Sequence, residues 1–224
     1  MTGLVGCAST RQTTETINFP ADIPQPFLSL EQVIEGAQDT PEGLFSRFLG
    51  MIVGQESKFS LNQPTDMVID QMGRLLIVES EAGFISIFVK EEGEWLNSER
   101  ISLAEIKYPT SIAAGADKIF INDLNNGSVH ILDYDFNLVG TMDHADMQRP
   151  GGLSYDSHSN RLLIADPPAN VVFVFSTEGE YIGQLGRGSH TQGVLQSPIA
   201  TTVDPENGNI YVLDGMARKV KQYD

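Results

Sequence analysis

Four stretches of this 224-residue chain follow one template in the same register. Each stretch opens on a proline, runs through a short apolar strand and a polar turn, and continues into a second apolar strand that ends in an acid. A third strand then follows at a fixed distance. The prolines are Pro64, Pro109, Pro150 and Pro198, and the acids are Glu79, Asp123, Asp166 and Asp214. A repeat made of strands alone requires a fold in which similar small sheets lie side by side.

The repeat has a period of about 43–48 residues, which is typical of one blade of a β-propeller. Sheets stacked around an axis cover each other, so the second strands should be apolar on both faces. These strands are Leu75–Val78, Ile119–Ile121, Leu162–Ala165 and Ile210–Leu213. We therefore predict an all-β propeller of four-stranded antiparallel blades, with more than a third of the residues in strands and little helix.

The template divides the chain into three parts. Residues 1–17 are predicted to be a flexible tether, and residues 18–60 to give outer strands to a closing blade. Residues 61–224 hold four blades, of which the last lacks its fourth strand. We therefore expect four blades of a longer propeller; an isolated four-bladed ring is the alternative.

The charge of the chain restricts its partners. Its net charge is −16, from 30 acidic and 14 basic residues, whereas a nucleic-acid-binding surface needs a basic patch. We therefore predict no nucleic-acid partner. The four histidines are scattered without metal-ligand spacing, and the single cysteine excludes a disulfide within the chain. No cofactor and no metal is predicted.

The segment Pro64–Glu79 resembles the NHL repeat, as do Pro150–Asp166 and Pro198–Asp214, while Pro109–Asp123 is the most divergent copy. The resemblance covers roughly residues 47–224. NHL proteins usually form six-bladed propellers, so the resemblance implies six blades, of which about four are present. It also implies a choice of functions, since the family includes RNA binders, protein-interaction modules, an amidating lyase and the related streptogramin lyases.

The lyases of that family need histidines on the inner strands, converging on a central metal. The predicted inner strands contain no histidine; they are Thr65–Ile69, Thr110–Ala114, Gly151–Tyr155 and Ile199–Val203. We therefore predict a non-catalytic binding module for a protein or peptide. The alternatives are a metal-dependent lyase or hydrolase acting at the propeller axis, and a structural scaffold within an envelope complex.

The segment Leu4–Cys7 resembles the lipobox of bacterial lipoproteins. Residues 1–3 supply neither the basic nor the apolar part of a signal peptide, so either the true start lies upstream or the match is chance. With the proline-rich stretch 19–26, the lipobox makes the chain similar to six-bladed propeller lipoproteins. The resemblance implies a lipid on Cys7 as the sole membrane contact, and a location in the bacterial cell envelope outside the cytoplasm, in the periplasm or at the cell surface.

In a four-stranded blade, the loops between strands 2 and 3 emerge on the same face as the linkers between blades, and propellers usually bind ligands there. The candidate ligand-binding residues on this face are Arg149, Arg187, His190, Glu79, Asp123, Asp166 and Asp214. For the four acids a structural role competes, because an acid at a strand end can accept N–H bonds from its own turn. The irregular linker 186–196 has no counterpart in the repeat, which makes a functional role a candidate there, beside the alternative of a plain surface loop.

Overall fold

The chain is described here by a computed structural model, which covers residues 17–19, 28–30, 61–81, 83–187 and 193–224. Within these ranges the protein is all-β, with no helix and with seventeen strands that hold more than a third of the chain. The prediction of an all-β fold is confirmed. Strands β1 (Ile17–Phe19) and β2 (Leu28–Leu30) pair with each other. The rest of residues 1–60 lies outside the described residues, so the assignment of outer strands to 18–60 stays a prediction.

The repeats form four antiparallel sheets, in which each strand pairs with the next one along the chain. Blade 1 contains β3 (Pro64–Ile69), β4 (Leu75–Glu79), β5 (Phe84–Glu91) and β6 (Glu94–Ser102). Blade 2 contains β7 (Pro109–Gly115), β8 (Lys118–Asp123), β9 (Ser128–Leu132) and β10 (Leu138–Met142). Blade 3 contains β11 (Leu153–Asp156), β12 (Arg161–Asp166), β13 (Val171–Ser176) and β14 (Tyr181–Leu185). Blade 4 contains β15 (Pro198–Val203), β16 (Ile210–Asp214) and β17 (Lys219–Tyr223).

The inner strand of blade 3 starts later than the template predicts, at Leu153 instead of Gly151. Gly151 and Gly152 nevertheless bond to β12. The Gly151 N–H donates to the carbonyl of Ala165 over 2.7 Å, and the Ala165 N–H donates to the carbonyl of Gly152 over 3.0 Å. Gly152 lies so close to blade 4 that a β-carbon there would be 2.9 Å from the carbonyl oxygen of Ile199. The glycine pair therefore serves the close approach of two blades, and regular strand geometry begins after it.

The innermost strands lie side by side around one axis. Strand β7 contacts both β3 and β11, and β11 also contacts β15. Hydrogen bonds join them, since the Ser111 hydroxyl donates to Asp66 over 2.7 Å and accepts from the Leu153 N–H over 3.1 Å. Ser154 and Thr201 continue this connection between blades 3 and 4, with their hydroxyl oxygens 2.6 Å apart. The four sheets are therefore arranged as consecutive blades of a propeller.

Apolar side chains fill each space between neighbouring blades. The cluster between blades 1 and 2 includes Leu76, Val78, Ile85, Ile112, Ile119 and Ile121. The cluster between blades 2 and 3 includes Phe120, Val129, Met142, Leu162, Phe173 and Phe175. The cluster between blades 3 and 4 includes Leu163, Val172, Val174, Leu195, Ile210 and Val212. The cores therefore lie between sheets, as the apolar second strands predict.

Blade 4 departs from this pattern on its outward face. Val129, Val172 and Val220 occupy the same template position; the first two are fully buried, whereas Val220 is 64% exposed. Leu213 on the second strand is 41% exposed, although its counterpart Ala165 is buried. In blades 2 and 3, the next blade along the chain covers the side chains at these two positions. Burial of the second strand on both faces is therefore confirmed for the first three blades and is incomplete in the fourth.

Candidate binding face

The propeller has two ends, which differ in the chain segments they carry. The linker face is formed by the strand 2–3 loops and the blade linkers, at residues 61–63, 80–81, 83, 103–108, 124–127, 143–149, 167–170, 186–187, 193–197 and 215–218. The hairpin face is formed by the strand 1–2 and strand 3–4 turns, at residues 70–74, 91–94, 116–117, 133–137, 157–160, 177–180 and 204–209. Both sets follow from the antiparallel strand order, because alternate connections lie at opposite ends of each sheet.

The four repeat acids hold the linker face together from inside. Asp166 is fully buried and accepts hydrogen bonds from the backbone N–H groups of Gln148 and Arg149, over 2.7 and 3.1 Å. These two residues belong to the linker that enters blade 3. The other oxygen of the Asp166 carboxylate accepts the Ala169 N–H over 3.2 Å, within the turn that Asp166 starts. One carboxylate thus fixes a linker and a loop of the same blade.

The other two aspartates repeat this geometry. Asp123 accepts the N–H groups of Tyr108 and Asn125, over 3.1 and 3.0 Å. Asp214 accepts those of Gln196 and Ser197, over 3.0 and 2.9 Å. Burial alone raises the pKa of Asp214, but these N–H groups and the Lys221 ammonium bring the pKa below its ordinary value of 3.8. We call this arrangement, in which one buried aspartate accepts N–H groups from a linker and a loop, the aspartate clamp; in blade 4 it favours the ionised carboxylate.

Glu79 performs the same task in blade 1 with a longer side chain. It is fully buried and accepts the Asn62 N–H over 2.5 Å and the Arg100 guanidinium over 2.8 Å. The Ser86 hydroxyl donates to its other oxygen. The turn bonds of the three aspartates follow from the sequence, whereas the linker bonds reach 15–18 residues back along the chain and have no local signal. Ligand binding by these four acids stays a prediction, and each of the four carboxylates already accepts hydrogen bonds inside the protein.

The other candidate residues differ in their surroundings. Arg149 is exposed on the linker face, and no ion pair involves it within the described residues. Arg187 is also exposed and pairs with Asp146 over 2.9 Å. This ion pair connects the segment after β14 with the linker that enters blade 3. His190 and Cys7 lie outside the described residues. The structure therefore brings Arg149 and Arg187 to one face, as the topology predicts.

Two further histidines, His144 and His158, differ in how far they are exposed. His158 is exposed on the hairpin face. His144 is half-buried, because its ring packs 4.3 Å from the ring of Tyr181 and 5.5 Å from that of Phe173. The sequence places His144 in a linker, and the aromatic partners come from the next blade, so this contact has no local signal.

The two faces differ in charge. Exposed acids crowd the described hairpin face, namely Glu91, Glu92, Glu94, Asp117, Asp135, Glu178, Glu180 and Glu206. On the described linker face the exposed acids are Glu81, Glu105, Asp143 and Asp146, and the exposed bases are Lys107, Arg149, Arg187 and Arg218. The linker face is thus close to neutral, whereas the hairpin face repels anions. A partner that carries negative charge meets less repulsion at the linker face.

A buried histidine lies under the linker face between blades 1 and 2. His130 is 6% exposed, and neither ring nitrogen has a hydrogen-bond partner among the described residues. Its Nε2 atom lies 3.8 Å from the Asp123 carboxylate. Burial lowers the pKa of His130 below its ordinary value of 6.5, against the opposing influence of Asp123 and Glu105.

This histidine predicts a pH dependence of stability. Because its folded pKa is below 6.5, the unfolded chain binds more protons in acid, so the free energy of unfolding falls as the pH drops below 6.5. Replacing His130 by Phe, the residue at the matching position 173, should flatten this slope in urea titrations near pH 5–6.5. Asp214, with a pKa below 3.8, contributes only at lower pH in both proteins. An unchanged slope in the variant would contradict the assignment.

The described part of the chain offers neither a metal site nor a membrane-spanning helix. No group of three or more His, Cys, Asp or Glu side chains is placed there to hold a metal ion. No helix there is long and apolar enough to cross a membrane.

Comparison with known proteins identifies the class of fold. The family DUF5128, described as a 6-bladed beta-propeller, matches residues 118–224, just under half of the chain. A comparison with curated protein sequences found no match. The protein is a β-propeller with four-stranded antiparallel blades, and the family match supports the six-bladed type.

Solved structures agree on the fold. A catalytically inactive virginiamycin B lyase from Staphylococcus aureus with quinupristin has a TM-score of 0.57 and 15% identity over 72% of this chain and 52% of its own. Hydrazine synthase of Kuenenia stuttgartiensis has a TM-score of 0.54 and 12% identity, over 71% and 44%. The Pan2 WD40 domain of Neurospora crassa has a TM-score of 0.51 and 16% identity, over 72% and 50%. The chain spans about half the length of these structures, and the low identities show the fold alone.

Proposed function

We propose that this protein is a non-catalytic propeller of the NHL type that binds a protein or peptide on its linker face. The observation that carries the proposal is the set of clamps made by the buried repeat acids. They fix the linker backbones from below, so the linker side chains are presented to solvent on a rigid support. Exposed Tyr108 and Met216, at 52% and 74%, stand on this face.

Charge supports the same choice of face. The hairpin face carries exposed acids almost alone, whereas acids and bases balance on the linker face within the described residues. Mixed charge with exposed aromatic and apolar side chains is usual at a protein-binding surface. Propellers among the solved structures include WD40 domains, which is consistent with a protein partner.

The proposal can be tested by site-specific photo-crosslinking in cells that make the protein. A photoreactive residue is placed at Met216 or Gln148 on the linker face, and at Ser157 or Glu206 on the hairpin face; all four positions are exposed. We expect discrete crosslinked products from the linker-face positions only. Products from the hairpin-face positions alone, or equally from both faces, would reject the proposed binding face.

An enzyme acting at the propeller axis is the competing function. The solved structures include a lyase, but its 15% identity to this chain carries no activity across. The described inner strands β3, β7, β11 and β15 contain no histidine, so a metal site there would have to draw its ligands from elsewhere. The clamped linker face therefore favours binding over catalysis as the proposed function.

We also propose that the protein is a lipoprotein of the bacterial cell envelope, anchored through Cys7. The lipobox-like Leu4–Cys7 and the following polar stretch are the support for this part. Metabolic labelling with an alkyne fatty acid should mark the protein expressed from its natural gene. In the Cys7→Ala variant the label should be lost completely, and the protein should move from the membrane to the soluble fraction. An unlabelled wild-type protein would contradict the anchor.

A further inference from the structure

The residue before each template proline is a natural position for specificity on the linker face. These residues are Gln63, Tyr108, Arg149 and Ser197. The backbone N–H groups of Tyr108, Arg149 and Ser197 each donate to the buried aspartate of their own blade. The backbone geometry is therefore repeated while the side chain differs. Tyrosine and arginine are the side chains most enriched at binding hot spots, and here they stand in neighbouring blades.

One loop of blade 2 connects these two positions. The N–H of Leu124 donates to the carbonyl of Tyr108 over 3.0 Å, at one end of the loop 124–127. At the other end, the position of a β-carbon on Gly127 would be 3.6 Å from the carbonyl oxygen of Gln148, next to Arg149. The exposed amides of Asn125 and Asn126 lie between the two ends. Tyr108, this loop and Arg149 therefore form one continuous surface across the junction of blades 2 and 3.

A buried amide beneath this surface marks the junction as different from the others. Asn122 is fully buried where the other blades carry Val78, Ala165 and Leu213. Its Nδ2 donates to the carbonyl of Pro150 over 2.5 Å and to the Thr110 hydroxyl over 2.9 Å. Its Oδ1 has no hydrogen-bond partner among the described residues. A buried acceptor without a partner is unfavourable, so the amide is a liability for stability alone. It directly supports the chain that presents Arg149.

We propose that Tyr108, Asn125 and Arg149 form a site for a single carboxylate of a peptide, which we call the junction site. This inference rests on the proposed function and names the chemistry of one part of the linker face. The planar guanidinium of Arg149 can donate two parallel hydrogen bonds to a carboxylate. The half-exposed ring of Tyr108 offers an apolar wall with a hydroxyl at its tip. The Asn125 Nδ2 donates to Asn126 Oδ1 over 2.8 Å, and the Asn125 amide oxygen can accept a backbone N–H of the peptide beside the carboxylate.

Local and global charge together select an isolated carboxylate over a polyanion. Arg149 has no ion-pair partner among the described residues, so its charge is available to a ligand. The neighbouring linkers expose Glu105, Asp143 and Asp146, and the whole chain carries a net charge of −16. A nucleic acid or an anionic membrane presents many negative charges and is repelled by such a molecule. One carboxylate, from a chain terminus or from an Asp or Glu side chain, fits the single arginine.

The site can be tested by titrating isotopically labelled full chain with three acetylated tetrapeptides, followed by nuclear magnetic resonance. The first peptide is Gly-Ala-Gly-Ala with a free C-terminal carboxylate, the second is the same peptide amidated, and the third is amidated with a central Asp. We expect saturable shifts at Tyr108, Asn125 and Arg149 with the first or the third peptide and none with the second. Which of the two responds identifies a terminal or a side-chain carboxylate as the ligand.

Two matched variants complete the test. Arg149→Gln should weaken binding about tenfold or more, since it keeps a polar side chain but loses the charge and the forked guanidinium. Arg218→Gln removes the same charge from an exposed position on blade 4 of the linker face and should leave binding unchanged. The proposal is overturned by equal losses in the two variants, by an equal response to the amidated neutral peptide, or by no saturable shift up to about 10 mM peptide. Photo-crosslinking from the linker face that persists in Arg149→Gln would keep the proposed function while rejecting the junction site.

Discussion

Replacing Asp166 by Ala should lower the free energy of unfolding by about 3–4 kcal/mol, since three charge-assisted hydrogen bonds are lost together. The carboxylate is fully buried and accepts the N–H groups of Gln148, Arg149 and Ala169. Without it, these donors lose their partner, and the bond of Ala169 is buried while those of Gln148 and Arg149 are partly buried. Urea unfolding followed by circular dichroism measures the change.

Two controls separate the clamp from other effects. Asp166→Asn keeps the side-chain volume but turns one oxygen into an amide donor, so most of the loss should remain. Glu206→Ala removes one negative charge from an exposed side chain and should change stability by less than about 0.5 kcal/mol. Crosslinking from the linker face should persist in the folded fraction of the Asp166 variants. Full stability together with lost crosslinking would instead identify Asp166 as a ligand-binding residue.

Replacing Phe120 by Ala should cost about 3–5 kcal/mol, because it opens a cavity between blades 2 and 3. Phe120 on β8 is fully buried in the cluster that also holds Phe173 and Phe175 of blade 3. Neighbouring blades of a propeller stabilise each other mainly through such interfaces. The thermal transition should therefore move to lower temperature, as calorimetry can measure.

The comparison for this variant is an apolar residue outside the blade interfaces. Val139 on the outer strand of blade 2 is 56% exposed, and Val139→Ala should stay within about 0.5 kcal/mol of the wild type. Phe120→Leu keeps most of the buried apolar volume and should fall between the two. Similar losses for Phe120→Ala and Val139→Ala would show that the interface between blades 2 and 3 does not contribute to stability.

Much of the fold could be predicted because the same sequence pattern occurs four times in the chain. Apolar second strands and polar turns are local signals, and all four second strands appear where the apolar runs are. The late start of β11 was not predictable, because it depends on the approach of Gly152 to Ile199, 47 residues away. Close approach of two blades leaves no mark in a local pattern except the glycine itself.

The candidate face was predictable in outline only. Strand order alone places Arg149 and Arg187 at the same end of the blades. The clamp of Asp166 on Gln148 joins residues that are far apart in the chain, and a carboxylate at a strand end looks the same whether it binds a ligand or a backbone. The departure of Asn122 from an otherwise apolar position is visible in the sequence, but its meaning depends on contacts with Thr110 and Pro150.

The aspartate clamps accept hydrogen bonds from backbone N–H groups of the linkers, so these bonds do not depend on which side chains the linkers carry. Positions such as 108, 148, 149 and 196 can therefore be randomised as a set without disturbing the hydrogen bonds that hold their backbones, provided that proline is excluded. The protein thus offers a scaffold for engineered recognition, in which a library on one face is displayed by three repeated supports. New specificities could be selected there by display methods while the rest of the sequence is kept constant.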